Sequence, residues 1–311
     1  MEWIVARWVT FVATLLIAGA CAVGLALIPR IAADDDTRNA IARDAARVGI
    51  GAVLALIPAS LLRLADQVMA LQSPGDPILH GVEALLVSTT WGTGFLWQCV
   101  AMLVAGVGCV FASRAPRAAT RTTLWWLLAA LGALGLCITP ALQGHAIGSE
   151  EYRAVAVSAD IAHVTGASIW LGALGVIGWL SISLPNADGV VAPGRAALTE
   201  ARLRMLVPLV PPIALPGAAL LIGSGVVASW LHLRDVSDLW REEWGRYVLA
   251  KTIIVSVIVV LGALNWRRLG PQMARETSVS ALRKSLVTVL VLALLVLLIT
   301  AVLVVTPLPG E

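Results

Sequence analysis

Long apolar runs recur along this chain, parted by short polar connections rich in arginine, glycine and proline. A helix needs ~20 mostly apolar residues to cross the hydrocarbon core of a bilayer. Windows of that length fall at 5–28, 46–71, 93–112, 122–142, 157–183, 205–231, 246–265 and 284–306. Alternation at period two does not persist over strand length, so the runs predict helices and not the strands of a membrane barrel. The pattern predicts an all-α integral membrane protein, a bundle of eight transmembrane helices. Residues 1–311 then form a single polytopic membrane domain whose solvent is the lipid bilayer.

The connections are too short to hold a soluble domain. The longest, about 184–204, contains Pro185, Asn186, Gly189, Pro193 and Gly194 and reads as a linker within the bundle. Composition agrees with a bilayer protein: 59% of the 311 residues are hydrophobic and 13% are charged, where a soluble domain carries about 25% charged residues. The net charge of +3 is spread through the loops instead of gathered in one patch, which points away from nucleic acid as a partner. Cys21, Cys99, Cys109 and Cys137 all lie inside apolar windows without a CxxC spacing. They predict isolated packing residues, and neither a disulfide framework nor a zinc site.

Charge also orients the bundle. With eight spans both termini share a side, and cytoplasmic loops carry the excess of Lys and Arg. One set of loops holds Arg30, Arg38, Arg43, Arg47, Arg114, Arg117, Arg121, Arg195, Arg202, Arg204, Arg267, Arg268, Arg275, Arg283 and Lys284, fifteen in all. The opposite set holds five, Arg7, Arg153, Arg234, Arg241 and Arg246. The bias places both termini outside the cytoplasm, although Arg7 ahead of the first apolar run is also the flank of a signal peptide or of a helix that starts inside. The run at 5–28 is too long for a signal core and reads as a retained span. In that orientation His80, His145, His163 and His232 all fall toward the outer face.

Candidate chemistry gathers there. Asp160 and His163 at i and i+3 share a helical face with Trp170 farther along it, and Gly166, Gly172 and Gly175 let a neighbouring helix approach. A carboxylate beside an imidazole fixes its tautomer and leaves the other ring nitrogen for a metal or a proton. The same pair equally serves as an interfacial hydrogen bond holding a helix end. Gln143 and His145 close the fourth span a short loop before Asp160, so His145, Asp160 and His163 make a metal shell of two imidazoles and an acid. Imidazole suits copper, zinc, iron and nickel.

Arg63 and Asp66, in the outer third of the second span, and Lys251, near the outer start of the seventh, carry charge into the membrane. A mid-membrane charge costs ~2.5–3.5 kcal/mol on insertion scales, so these residues face a bundle interior or a wet cavity. They read either as an outer vestibule, with Asp66 the expected partner of Lys251, or as a structural Arg63–Asp66 pair. Met69, near the outer end of its span, is a packing residue first and a soft ligand second. His80 and Glu83 repeat the i, i+3 pattern, but Ser73-Pro74-Gly75-Asp76-Pro77 marks their surroundings as a solvated loop. Trp91, Trp97, Trp230, Trp240 and Trp244 read as an interfacial belt, and His232, within Trp230-Leu231-His232-Leu233-Arg234, as an interfacial helix end.

Gln143-Gly144-His145, Asp160-Ile161-Ala162-His163 and Ile169-Trp170-Leu171-Gly172-Ala173 together resemble the copper-resistance D (CopD) family of bacterial inner-membrane copper proteins. So do Trp244-Gly245-Arg246-Tyr247-Val248-Leu249-Ala250-Lys251 and Gly262-Ala263-Leu264-Asn265-Trp266, and the resemblance is most specific over 143–265. It implies copper transport across the bacterial inner membrane, usually uptake from the periplasm, with copper as the transported or bound ion and a CopC-type periplasmic copper-binding protein as a partner. It makes His145, Asp160 and His163 the leading metal candidates, and Lys251 and Asn265 pathway or structural positions. The chain departs from the family in having neither a Met-rich segment nor a fused CopC-like domain, and in carrying Gln98 where a basic residue is expected after Trp97. The reading is of a transporter and not an enzyme. Two alternatives stay open: a membrane haem protein or oxidoreductase with a single outer haem, and a copper sensor or metal-delivery factor.

Overall fold

The computed structural model describes residues 2–71, 77–115, 119–144, 152–181, 201–233, 235–269 and 276–307. The described residues form helices and the turns between them. Eight helical stretches are long and apolar enough to cross a membrane: Trp3–Arg30, Asp35–Leu71, Thr90–Arg114, Arg121–Gln143, Arg153–Leu180, Pro211–Leu231, Glu243–Arg267 and Ala281–Leu303. Each falls on one of the apolar windows. The linker expected at 184–204 lies mostly outside the described residues.

Helix α1 (Glu2–Ala22) runs on through a π turn at Val23–Leu27 and a 3₁₀ turn at Ile28–Arg30 that contains Pro29. Helix α2 (Asp35–Leu71) begins well before its apolar window, so the arginine-bearing stretch after 35 is helical and not a loop. Its start is capped: Asp34 Oδ1 accepts the Thr37 N–H at 2.7 Å. Hydrogen bonds from the Thr37 hydroxyl and then its backbone hold the Asp34 carboxyl below the usual carboxylate range. The pairs Arg38–Asp35 and Arg47–Asp44, at i, i+3, line the same polar stretch.

The short helix α3 (Ile78–Ser88) precedes α4 (Thr90–Arg114), which Thr89 caps by accepting the Gly92 N–H at 2.9 Å. His80 and Glu83 therefore sit on a helix and not in a loop, both exposed, because Leu85 anchors α3 by burial. The order continues with α5 (Ala119–Gln143), α6 (Arg153–Ala167), a π turn at Ser168–Gly172, α7 (Ala173–Leu180), α8 (Pro211–His232), α9 (Asp238–Arg241), α10 (Glu243–Leu264) and α11 (Glu276–Leu303).

Glycines set the tightest crossings. A Cβ on Gly19 would lie 2.1 Å from the Gly172 carbonyl carbon, and one on Gly172 would lie 2.1 Å from the Leu15 carbonyl oxygen. Only hydrogen fits where α1 meets the π turn. Gly166 does the same for α6 against α8, where a Cβ would come within 2.6 Å of the Leu221 nitrogen. Gly175 meets only the end of the Leu16 side chain, at 3.0 Å. Ile17, Ile41, Leu56, Trp126 and Ile177 fill the main core, while Leu103, Leu131 and Val226 stay exposed, the outward apolar surface that a lipid-facing bundle presents. Trp97, Trp230 and Trp240 are exposed as belt residues would be, but Trp244 is buried and Trp91 stacks on Phe95 at 5.4 Å.

Candidate metal site

The ends of α2, α5 and α8 and the starts of α4, α6 and α10 meet at one face of the bundle, because successive spans reverse direction. At 1.5 Å per residue, Arg63, Gln98, Ser224 and Lys251 lie ~12 Å inside those ends, and His163 ~15 Å. Polar side chains at that depth are costly unless they are partnered. They form two groups.

The first lies between α2, α4 and α5, with α1 beside it. Arg63 Nη2 donates to Gln143 Oε1 at 2.6 Å, and its Nη1 lies 3.5 Å from Gln98 Oε1. Gln143 Nε2 donates to the same Gln98 oxygen at 3.2 Å, and Gln98 Nε2 donates to Ser60 Oγ at 2.8 Å. Gln98 is 3% exposed. The residue that stands out in the sequence only as a departure is thus the centre of this network. Asp66 pairs with Arg7 of α1, Nη2 to Oδ2 at 3.3 Å. This corrects the expected pairing of Asp66 with Arg63 or with Lys251: α1 supplies a closer cation, and Lys251 belongs to the other group.

That second group lies between α6, α8 and α10. Because α6 starts at Arg153, with the Ala156 N–H already bonded to the Tyr152 carbonyl at 2.9 Å, Asp160 and His163 are interior helix residues and not a helix end. His163 Nδ1 lies 3.3 Å from Ser224 Oγ. The Ser224 hydroxyl has one proton, and it points to the helix carbonyls of Leu220 at 2.6 Å and Leu221 at 3.1 Å. Its lone pairs therefore face the imidazole, Nδ1 carries the ring hydrogen, and Nε2 keeps its lone pair. Lys251 Nζ, a donor only, lies 3.4 Å from that Nε2. Asp160 acts electrostatically on the same ammonium. Gly225 makes room for the ring, since a Cβ there would stand 3.2 Å from His163 Cε1.

This arrangement sets one imidazole nitrogen against an ammonium, with the Asp160 carboxylate near enough to act on the same ammonium. Among the described residues no group of three His, Cys, Asp or Glu side chains is placed to hold a metal. His145 lies outside the described residues, and so does the side chain of His232. The remaining candidates separate from the site. Met69 is 56% exposed, neither core nor turned inward. Trp170 is buried among Leu15, Leu171, Leu221 and Ile258, so it meets α8 and α10 as His163 does, but in an apolar layer farther along the bundle. Asn265 Nδ2 donates to Ser285 Oγ at 2.7 Å and ties α10 to α11 near the far end of the bundle. Sequence reasoning missed Ser224 altogether. Its signal was Gly223-Ser224-Gly225, a run small enough for another helix to bring a ring against it.

Residues 1–155 match the family model for the copper resistance protein D-like N-terminal domain, and residues 211–303 match that for copper resistance protein D. The copper transport protein CutJ of Bacillus subtilis (strain 168) is 25% identical over 242 residues, which cover 77% of this chain and 42% of CutJ. The matched stretch is thus less than half the length of that relative. No solved structure matches the chain.

Proposed function

This chain belongs to the copper-resistance protein D family, and on that premise we propose that it carries copper ions across the bacterial inner membrane through a site built on His163 and Asp160. The observation that carries the reading is the contact of His163 Nε2 with Lys251 Nζ at 3.4 Å, beside Asp160 and ~15 Å inside a bundle of copper-family sequence. The ion displaces the ammonium from Nε2, Asp160 supplies counter-charge, and Ser224 keeps the ring turned toward the ion. His145, on the connection after α5, completes the set. The bias of fifteen to five basic residues supports termini outside the cytoplasm and entry from the periplasm, hence uptake. A CopC-type periplasmic copper-binding protein, the partner that the family resemblance implies, would deliver the ion.

Cells expressing the parent at matched membrane levels accumulate copper above cells with empty vector. His163→Ala and Asp160→Ala return accumulation to the vector level, His145→Ala lowers it, and His232→Ala leaves it near the parent. Parent-like accumulation by His163→Ala together with loss in His232→Ala would move the site elsewhere. A phosphatase fused after Glu311 is active outside the cytoplasm, and activity only on the cytoplasmic side reverses the orientation.

A further inference from the structure

At the face of the bundle opposite His163, the start of α2, the end of α4 and the start of α5 enclose a cavity of about 280 Å³. Asn39 and Arg43 of α2, Arg114 of α4 and Thr122 of α5 line it, with Asp36 as the acid of the lining. Packing farther in brings the two arginines to one level. A Cβ on Gly49 of α2 would lie 2.7 Å from Cys109 Sγ of α4, so these two residues of antiparallel helices face each other. Arg43 stands six residues before Gly49 and Arg114 five after Cys109, ~9 and ~7.5 Å toward the same end.

Neighbouring arginines of this face are taken by acids: Arg38 by Asp35, and Arg47 and Arg202 by Asp44. Among the described residues no acid pairs with Arg43 or Arg114, and both are exposed. Depth sets what can meet them. Arg114 is the last residue of its membrane span and Thr122 the second of the next, so the cavity lies where hydrocarbon gives way to headgroups. Three residues to the membrane side of each, ~4.5 Å along the axis, Phe111 stacks on Trp125. Phe111 is 46% exposed, and Leu124 and Leu127 carry the open apolar surface on along α5. Basic groups above aromatic rings above exposed leucines is the order in which a bilayer presents phosphate, interface and acyl chain.

We propose that this cavity binds the phosphate of an anionic phospholipid headgroup, with Arg43 and Arg114 as its counter-charges and the acyl chains lying along Phe111 and α5. A guanidinium matches two phosphate oxygens with two parallel N–H donors. Basic pockets between membrane spans take anionic headgroups for this reason. The Asn39 amide offers a further donor, and Asp36 accepts from a headgroup hydroxyl. A free phosphate ion would use the same guanidiniums but would gain nothing from the ring pair and the leucines, which is why the lipid is the favoured source. The site is independent of the copper reading: it lies at the other end of the bundle and shares no residue with it.

The test is thermal unfolding of the purified full chain in detergent, titrated with phosphatidylglycerol, with phosphatidylcholine of the same acyl chains, and with inorganic phosphate. Phosphatidylglycerol is expected to raise the parent's unfolding temperature saturably, phosphatidylcholine to raise it less, and inorganic phosphate at equal concentration to leave it unchanged. Arg43→Gln combined with Arg114→Gln should weaken phosphatidylglycerol binding about thirtyfold, about fivefold for each arginine. Arg38→Gln combined with Arg47→Gln removes the same charge from acid-paired positions of α2 and should match the parent. Equal stabilisation of the parent by the two lipids, or parent-like phosphatidylglycerol affinity in the Arg43, Arg114 double variant, overturns the site. Stabilisation by inorganic phosphate without any by phosphatidylglycerol overturns the lipid as its occupant. The comparison of lipids on the parent decides even if a variant fails to fold.

Discussion

Lys251 Nζ lies 3.4 Å from His163 Nε2, and because an ammonium only donates, the lone pair of that nitrogen accepts from it. Two unit charges ~4 Å apart repel by roughly 4 kcal/mol at the effective dielectric of a protein surface. An ion at Nε2 therefore competes with the ammonium for its position and is repelled by it. Removing the ammonium also leaves Asp160 without that neighbouring cation. Lys251→Met is expected to bind copper at least about tenfold more tightly than the parent in chelator competition, which corresponds to ~1.4 kcal/mol. Unchanged or weaker binding would show that the ammonium does not stand in the ion's way.

The Arg7–Asp66 pair makes a prediction that separates it from the pairing suggested by sequence spacing. Its partners are 19% and 25% exposed, so solvent screens them only in part. A double-mutant cycle of Arg7→Met and Asp66→Asn, read by unfolding in detergent, should give a coupling energy of ~0.5–3 kcal/mol. The cycle of Arg63→Met with Asp66→Asn should couple more weakly, because Arg63 spends its donors on Gln143 and Gln98. The reverse order would restore the i, i+3 pair.

The glycine crossing predicts a sharp positional contrast. Gly19→Ala puts a methyl 2.1 Å from the Gly172 backbone, whereas Gly223→Ala meets nothing within 4 Å. Overpacking costs ~1–3 kcal/mol or more, so Gly19→Ala should lower the unfolding temperature of the purified protein. Gly223→Ala should hold or raise it, since alanine favours helix over glycine by ~1 kcal/mol. Equal stability of the two variants would mean that α1 does not cross the π turn at that contact.

What could be read in the sequence was what depends on neighbours along one helix. Each span announces itself by its own apolar run, and Asp160 with His163 announces itself by spacing on one face. What could not be read depends on how helices are rotated against each other. Ser224 and Lys251 reach His163 from α8 and α10, and no periodicity encodes that meeting. Asp66 had a nearer candidate on its own helix and was taken by Arg7 of α1. The π turn at Ser168–Gly172 has no signature in the apolar pattern, yet Trp170 still meets α8 and α10 at Leu221 and Ile258. Gln98 differs by one residue type from what the family resemblance implies, yet it is the acceptor that Arg63 and Gln143 share.

The central claim is that copper passes through His163 Nε2. Copper entry into proteoliposomes holding the purified full chain tests it most directly, with parent and His163→Ala reconstituted at equal density and shown equally folded by their unfolding temperatures. The parent is expected to admit copper well above protein-free vesicles, and His163→Ala to fall to the protein-free rate. Entry through His163→Ala at the parent's rate would contradict the account.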